Sequence, residues 1–281
     1  MKTPLQKEYT IKLANLNDQF CFFLFSREEL NDKISNFSAS VNPLFTTDLF
    51  NKNKYSSKIH VTLEKLPLFL EQNQTLNFGA YFSFSYEFLS SYIDDIMVTI
   101  EKINGVGLTS TEQKQDLETR LSCLIKKCGL GTPPQEIFDT ISYLRLRRNY
   151  FTHVLETLNA KFLDIVTNKG QLLNTFWASS VSELDFTSSN VEEFKENETL
   201  DLLKLTRIIL ERIDSFVSGI LNEDGIAELV TIELFETNPS RLNLDVIQKR
   251  ISMVSSSAYN KYGIRLSNSI VEECVKRIGR K

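Results

Sequence analysis

A chain of 281 residues is long enough for one large domain or two of average size. Hydrophobic residues make up 42% and charged residues 24%, an ordinary globular balance that excludes a disordered tail, a collagen-like chain and a disulfide scaffold. The net charge of −4 supplies no global basic field for nucleic acid, and two histidines, His60 and His153, exclude a multi-histidine metal site within one chain.

The four cysteines, Cys21, Cys123, Cys128 and Cys274, form no CxxC pair and have no histidine at zinc-finger spacing. The N-terminus MKTPLQKEYT lacks an apolar signal core, and the run Phe20–Phe25 is too short to cross a bilayer. These features predict a cytoplasmic protein with reduced thiols, no membrane association, no metal and no other cofactor. Ten glycines and six prolines are few, which favours helices over a turn-rich sandwich.

In chain order, Tyr9, Ile11 and Leu13 alternate with polar residues, and either a strand or a short helix fits them. Ser26 and Glu29 have capping-box spacing and predict a helix from about Arg27. Residues 36–60 look irregular. A long amphipathic helix is predicted from Asn77 to Ile103, because Phe82, Tyr86, Leu89, Ile93, Ile96 and Ile100 recur at steps of three and four. Thr109 and Glu112 form a second capping box, opening a helix to about Lys127 that Gly129 and Gly131 stop.

Thr132, Pro133 and Gln135 give the strongest helix start in the chain. The apolar series Ile137, Ile141, Leu144, Phe151, Leu155, Leu158, Phe162 and Ile165 predicts one helix to about Asn168. Arg148 fills the place between Leu144 and Phe151. Residues 170–198 lose periodicity and read as an excursion anchored by Trp177. Residues 199–221 form another strong helix, and three shorter ones are predicted near 224–236, 242–259 and 267–278.

The fold class is therefore all-α. A helical bundle spans residues 76–221, with an N-terminal elaboration over 1–75 that admits short strands and a C-terminal helical region over 222–281. Charge is uneven in that last region. Residues 222–240 hold Glu223, Asp224, Glu228, Glu233 and Glu236 without a basic residue. Residues 241–281 hold nine basic residues, among them Arg241, Arg280 and Lys281, against three acidic ones, which leaves +6. A solvated face or a polyanion contact would account for such a tail.

A charge on an apolar stripe is costly unless it is paired or faces a cleft, which makes Arg148 conspicuous. The residues that follow are Asn149, Tyr150, Phe151, Thr152 and His153. Arg148 and His153 lie about 140° apart around a regular helix, whereas Asn149 and His153 share a face. A plain structural reading pairs Arg148 with Glu87, Asp94 or Asp95 on the earlier helix and leaves His153 a satisfied histidine.

The string Arg148-Asn149-Tyr150-Phe151-Thr152-His153 resembles the signature of the HEPN superfamily. That signature is an arginine, usually a polar residue, three to five further residues and a histidine, set in a small helical bundle. Twelve Arg and twenty-one Asn among 281 residues, tested against two His, give about 0.006 accidental matches. The family's motif lies nearer a helix start, so a kink or break is expected around Leu146–Asn149.

The resemblance implies a HEPN-like bundle and a metal-independent ribonuclease of the toxin, abortive-infection or CRISPR-effector kind. Arg148 and His153 would be catalytic, with Asn149 in support. A neutral imidazole can take the proton of an RNA 2′-hydroxyl, and its protonated form can release the 5′-oxygen. A guanidinium can stabilise the phosphorane. One histidine per chain cannot be base and acid together, so a homodimer with a composite site is expected. Arg145, Arg147 and Tyr150 are candidate RNA contacts, and Glu87 and Asp94 candidate supporting carboxylates. Expected partners are RNA, a second copy, and an antitoxin or defence-complex protein. The alternatives are a non-catalytic HEPN-like RNA- or protein-binding module and a helical scaffold. His60 reads as structural.

Overall fold

The computed structural model describes residues 3–35, 44–129, 131–153, 157–235 and 244–278. Among these residues there are twelve α-helices and no β-strand, so the chain is all-α. The helices are α1 (Pro4–Ser35), α2 (Thr46–Leu49), α3 (Ser56–Ile59), α4 (Leu66–Asn104), α5 (Leu117–Lys127), α6 (Gln135–His153), α7 (Ala160–Asn168), α8 (Gly170–Trp177), α9 (Glu196–Ile220), α10 (Glu223–Phe235), α11 (Leu244–Tyr262) and α12 (Asn268–Ile278). Leu155 of the predicted stripe, and Glu236, Arg241, Arg280 and Lys281 of the charged C-terminal region, lie outside the described residues. No helix among the described residues is long and apolar enough to cross a membrane.

Helix α4 is the axis of the molecule, and α1, α5, α6, α9 and α10 all pack on it. Its predicted stripe is its buried face: Phe82, Leu89, Ile93, Ile96 and Ile100 are fully buried. Each such side chain contributes about 1.5–3 kcal/mol of burial. The helix begins at Leu66, eleven residues before the predicted start, with Pro67 in its first turn. Gly105 ends it in the left-handed conformation, its N–H bonding the Glu101 carbonyl.

Of the strand and the short helix that fit Tyr9, Ile11 and Leu13, the structure takes the helix, as part of the long α1. Tyr9 and Leu13, four apart, enter the core, while Ile11 is exposed. Helix α1 runs antiparallel to α4, with Tyr9 against Tyr92 and Phe20 against Phe78. The core is thus continuous across residue 75. Thr3 precedes Pro4 as the cap: its hydroxyl accepts from the Gln6 N–H, and its own N–H donates to buried Asp214 of α9 at 3.1 Å. Tyr92 of α4 donates to the same carboxylate at 3.1 Å, so three helices meet there. No helix starts at Ser26, whose hydroxyl bonds back to the Phe22 carbonyl within α1.

Thr109 and Glu112 make the reciprocal bonds of a capping box, but they open a single tight turn, and α5 begins only at Leu117. The long helix predicted to Asn168 is two helices. Asn159, whose side chain accepts from the Lys161 N–H at 2.8 Å, caps the second. Helix α6 shows no break at Leu146–Asn149. Trp177 does anchor the following excursion: it is fully buried, donates to Thr140 at 2.8 Å and lies under the Arg212 guanidinium.

Helices α10, α11 and α12 form a mutually packed trio joined to α4. The charge asymmetry has an internal explanation. Arg277 of α12 pairs with Glu228, and Lys261 of α11 with Glu233, both on α10. Part of the basic excess therefore faces the acidic helix. Asn104 ties the trio to α4, donating to the Ile220 carbonyl at 2.8 Å and accepting from the Asn222 N–H at 2.9 Å.

Beside this clamp, a Cβ at Gly225 would stand 1.8 Å from the Ile103 carbonyl oxygen. Backbone cannot yield cheaply, so Gly225→Ala is expected to destabilise the chain by about 1–3 kcal/mol in a denaturant titration. An unchanged midpoint would show that α10 does not sit this closely on α4.

Candidate active site

The motif residues occupy the last turns of α6, held between α4 and α9. Phe151 fixes this end. Its ring lies on Gly79 of α4, where an added Cβ would come within 2.3 Å of it, and packs edge-on against Phe194 at 5.5 Å. Glycine at 79 is what lets α6 approach.

The core takes Arg147 rather than Arg148. Arg147 is 1% exposed, bonds Glu198 of α9 at 2.8 Å and Tyr143 at 3.2 Å, and lies 4.9 Å over the Phe194 ring. Its Nε and Nη2 are buried without a hydrogen-bond partner. The expected RNA contact by Arg147 is therefore corrected: its charge is already neutralised inside the bundle.

Arg148 is partly exposed and makes an ion pair with Glu87 of α4, while its Nη1 donates to Asn149 at 3.1 Å. The side chains are 24% and 45% exposed, so the pair is of the weak surface kind, about 0–1 kcal/mol. Asp94 does not join it; that carboxylate bonds Arg120 of α5 at 3.0 Å. Asp95 accepts from Tyr9 at 2.7 Å. Of the two expected supporting carboxylates, Glu87 stands at the motif and Asp94 does not.

His153 is exposed at the end of α6 and hydrogen-bonds no other described residue. It lines a small cavity of about 140 Å³ with Asn149, Tyr150, Asn159 and Leu158. Asn149 and His153 thus share a face, as their four-residue spacing requires. Arg148 does not line that cavity. Within one chain the arginine is directed to α4 and the histidine to the α7 side.

Tyr150 is half-buried beside the cavity and donates to Glu192 at 2.9 Å. That bond to a carboxylate, with some burial, pushes its phenol above the ordinary value. Arg145 is not a free cation either. It bonds buried Glu118 twice, at 2.8 and 3.2 Å, and Asp116 at 3.1 Å. It lines a cleft of about 560 Å³ between α5, α6 and α7, where Lys161 and Lys169 are likewise paired with Asp116 and Asp139.

Asn159 and Glu192 escaped the sequence reading of the site. Asn159 carried a local signal, its capping position before Ala160; Glu192 carried none. No group of three or more metal-ligating side chains occurs among the described residues. His60 lies elsewhere, stacked on Phe45.

The two arginines have different expected costs. Glu198→Ala leaves the buried Arg147 charge uncompensated and is expected to cost about 3–5 kcal/mol. Glu87→Ala removes only a surface partner and is expected to change stability by about 1 kcal/mol or less. Urea titrations of both variants check the ranking; equal losses would contradict it.

No protein-family model matches this chain, and no curated protein or solved structure matches it, so the site is read from its own geometry.

Proposed function

We propose that the chain is a metal-independent endoribonuclease of the HEPN type, acting in the cytoplasm as a toxin or antiviral defence effector. The observation that carries this reading is the end of α6. An exposed imidazole with no hydrogen bond to another described residue stands in a cavity with Asn149, five residues along α6 from a partly exposed guanidinium held by a single surface carboxylate.

The chemistry needs no metal. The neutral His153 imidazole takes the proton of the 2′-hydroxyl, and the alkoxide attacks the adjacent phosphorus. The Arg148 guanidinium stabilises the charge that builds on the phosphoryl oxygens. The 5′-oxygen leaves with a proton from a second imidazole, giving a cyclic phosphate and a 5′-hydroxyl. Glu87 holds Arg148 in the absence of RNA. Because that pair is worth about 0–1 kcal/mol, a phosphate that accepts two charge-assisted hydrogen bonds can displace it.

Arg148 and His153 point to different sides of α6, and one chain supplies one imidazole here. Both facts favour a homodimer in which two such helix ends face each other. The same divergence is also what a non-catalytic HEPN-like module would show, so that reading stands second.

Purified protein incubated with total RNA in a metal chelator separates the two. Cleavage to cyclic-phosphate and 5′-hydroxyl ends is expected, reduced at least about a hundredfold by His153→Ala and by Arg148→Ala with the circular dichroism spectrum unchanged. Intact RNA at high protein concentration would leave the binding module as the reading.

A further inference from the structure

The tip of the α1–α4 hairpin gathers lysines around aromatic rings. Lys33 of α1 and Lys52, Lys54, Lys58 and Lys65 around α2 and α3 are all exposed, and none pairs with a carboxylate among the described residues. Elsewhere among the described residues some lysines, such as Lys127, Lys161, Lys169 and Lys261, pair, and others, such as Lys102, Lys126 and Lys204, do not. The carboxylates in residues 44–65 are Asp48 and Glu64, and Asp48 is engaged by the Phe45 N–H at 2.8 Å.

The unpaired ammonium groups are interleaved with rings. Lys54 and Lys58 both lie over Tyr55, at 5.0 and 5.5 Å from the ring centre, and Lys33 over Phe50 at 5.4 Å. Tyr55 itself is 52% exposed. Beside it opens a shallow apolar cavity of about 150 Å³, lined by Leu30, Phe50, Tyr55, Ile59 and Leu66. His60 closes α3 with a φ of 37°, the only positive value at a described non-glycine residue, and its ring stacks nearly parallel on Phe45 at 4.9 Å. That backbone costs energy, of order 1–3 kcal/mol.

Unneutralised cations beside exposed ring faces and an apolar recess match a strand that alternates phosphates with flat bases. Exposed cation–ring contacts are worth only about 0.5–1 kcal/mol, so the lysines are free to turn to phosphate. A lipid surface asks for something else, an apolar face that projects as a whole. Here the apolar side chains border a recess and are only about half exposed, Tyr55 at 52% and Ile59 at 48%.

We propose that residues 44–65, with Lys33, bind single-stranded RNA, tracking its phosphates with the lysines and stacking bases on Tyr55. That the strand is RNA rests on the ribonuclease reading; the surface does not. The tip lies about 30 Å along α4 from Glu87, at 1.5 Å per residue, so it grips the strand well away from the bond that α6 would cut. Its task is to raise substrate affinity in a chain whose overall charge repels RNA.

The test uses the full-length chain carrying His153→Ala and a fluorescent oligouridylate, with affinity read by anisotropy across a salt series. Tyr55→Ala is expected to weaken binding about tenfold. Lys52→Glu with Lys54→Glu and Lys58→Glu is expected to lower the slope of log affinity against log salt by about 2. Substituting these exposed side chains leaves the core intact, which circular dichroism checks. Binding that is absent, or unchanged in both variants, overturns the proposal. So does sedimentation with phosphatidylserine vesicles, lost in the variants, in a protein that ignores the oligonucleotide. Tip-dependent binding by a wild type that cleaves nothing would sustain the surface and end the nuclease reading.

Discussion

A guanidinium that is 1% exposed has to be neutralised where it lies, and Arg147 finds its counter-charge in Glu198, 2.8 Å away on another helix. Removing either partner from such a pair costs several kcal/mol, so α6 cannot rotate against α9 without breaking it. The consequence reaches the surface. With Arg147 turned inward, its neighbour Arg148 emerges beside α4, and Asn149 and His153 emerge together on the other side. The ring of Phe151 on Gly79 holds the same register from the α4 side. What the end of α6 offers to a ligand is set by what its preceding turns bury.

The sequence pattern marked the correct helix and misassigned one step of it. From Leu144, steps of three and of four both stay on the buried face, and they lead to Arg147 and Arg148 respectively. Periodicity cannot choose between them. The choice is made by a carboxylate 51 residues away, for which the local sequence carries no signal. By contrast the buried face of α4 and the extents of α9 to α12 were legible, because long runs of aliphatic residues at helical spacing have one way to be buried. Helix α1 was harder to see. Its apolar residues serve several neighbours and leave Phe22 and Phe25 exposed, so no single stripe stands out.

Charge followed a similar rule. The basic tail near the C-terminus admitted a solvated face or a polyanion contact, and in the fold Glu228 and Glu233 take up Arg277 and Lys261. Arg145, too, is spent on Glu118 and Asp116. Five lysines without a carboxylate partner among the described residues lie where the sequence looked least informative, at the end of α1 and in the short segments between α1 and α4. Composition alone could not separate the two cases, because pairing depends on which helices the fold sets side by side.

The central claim is that His153 at the end of α6 acts with its counterpart in a second chain. The most direct measurement is the initial rate of RNA cleavage over a protein dilution series, with mass followed in parallel by sedimentation. A shared site is expected to give a rate rising with the square of concentration where monomer predominates, and becoming proportional once dimer does. A rate proportional to concentration throughout, from a protein that sediments as a monomer, would contradict it.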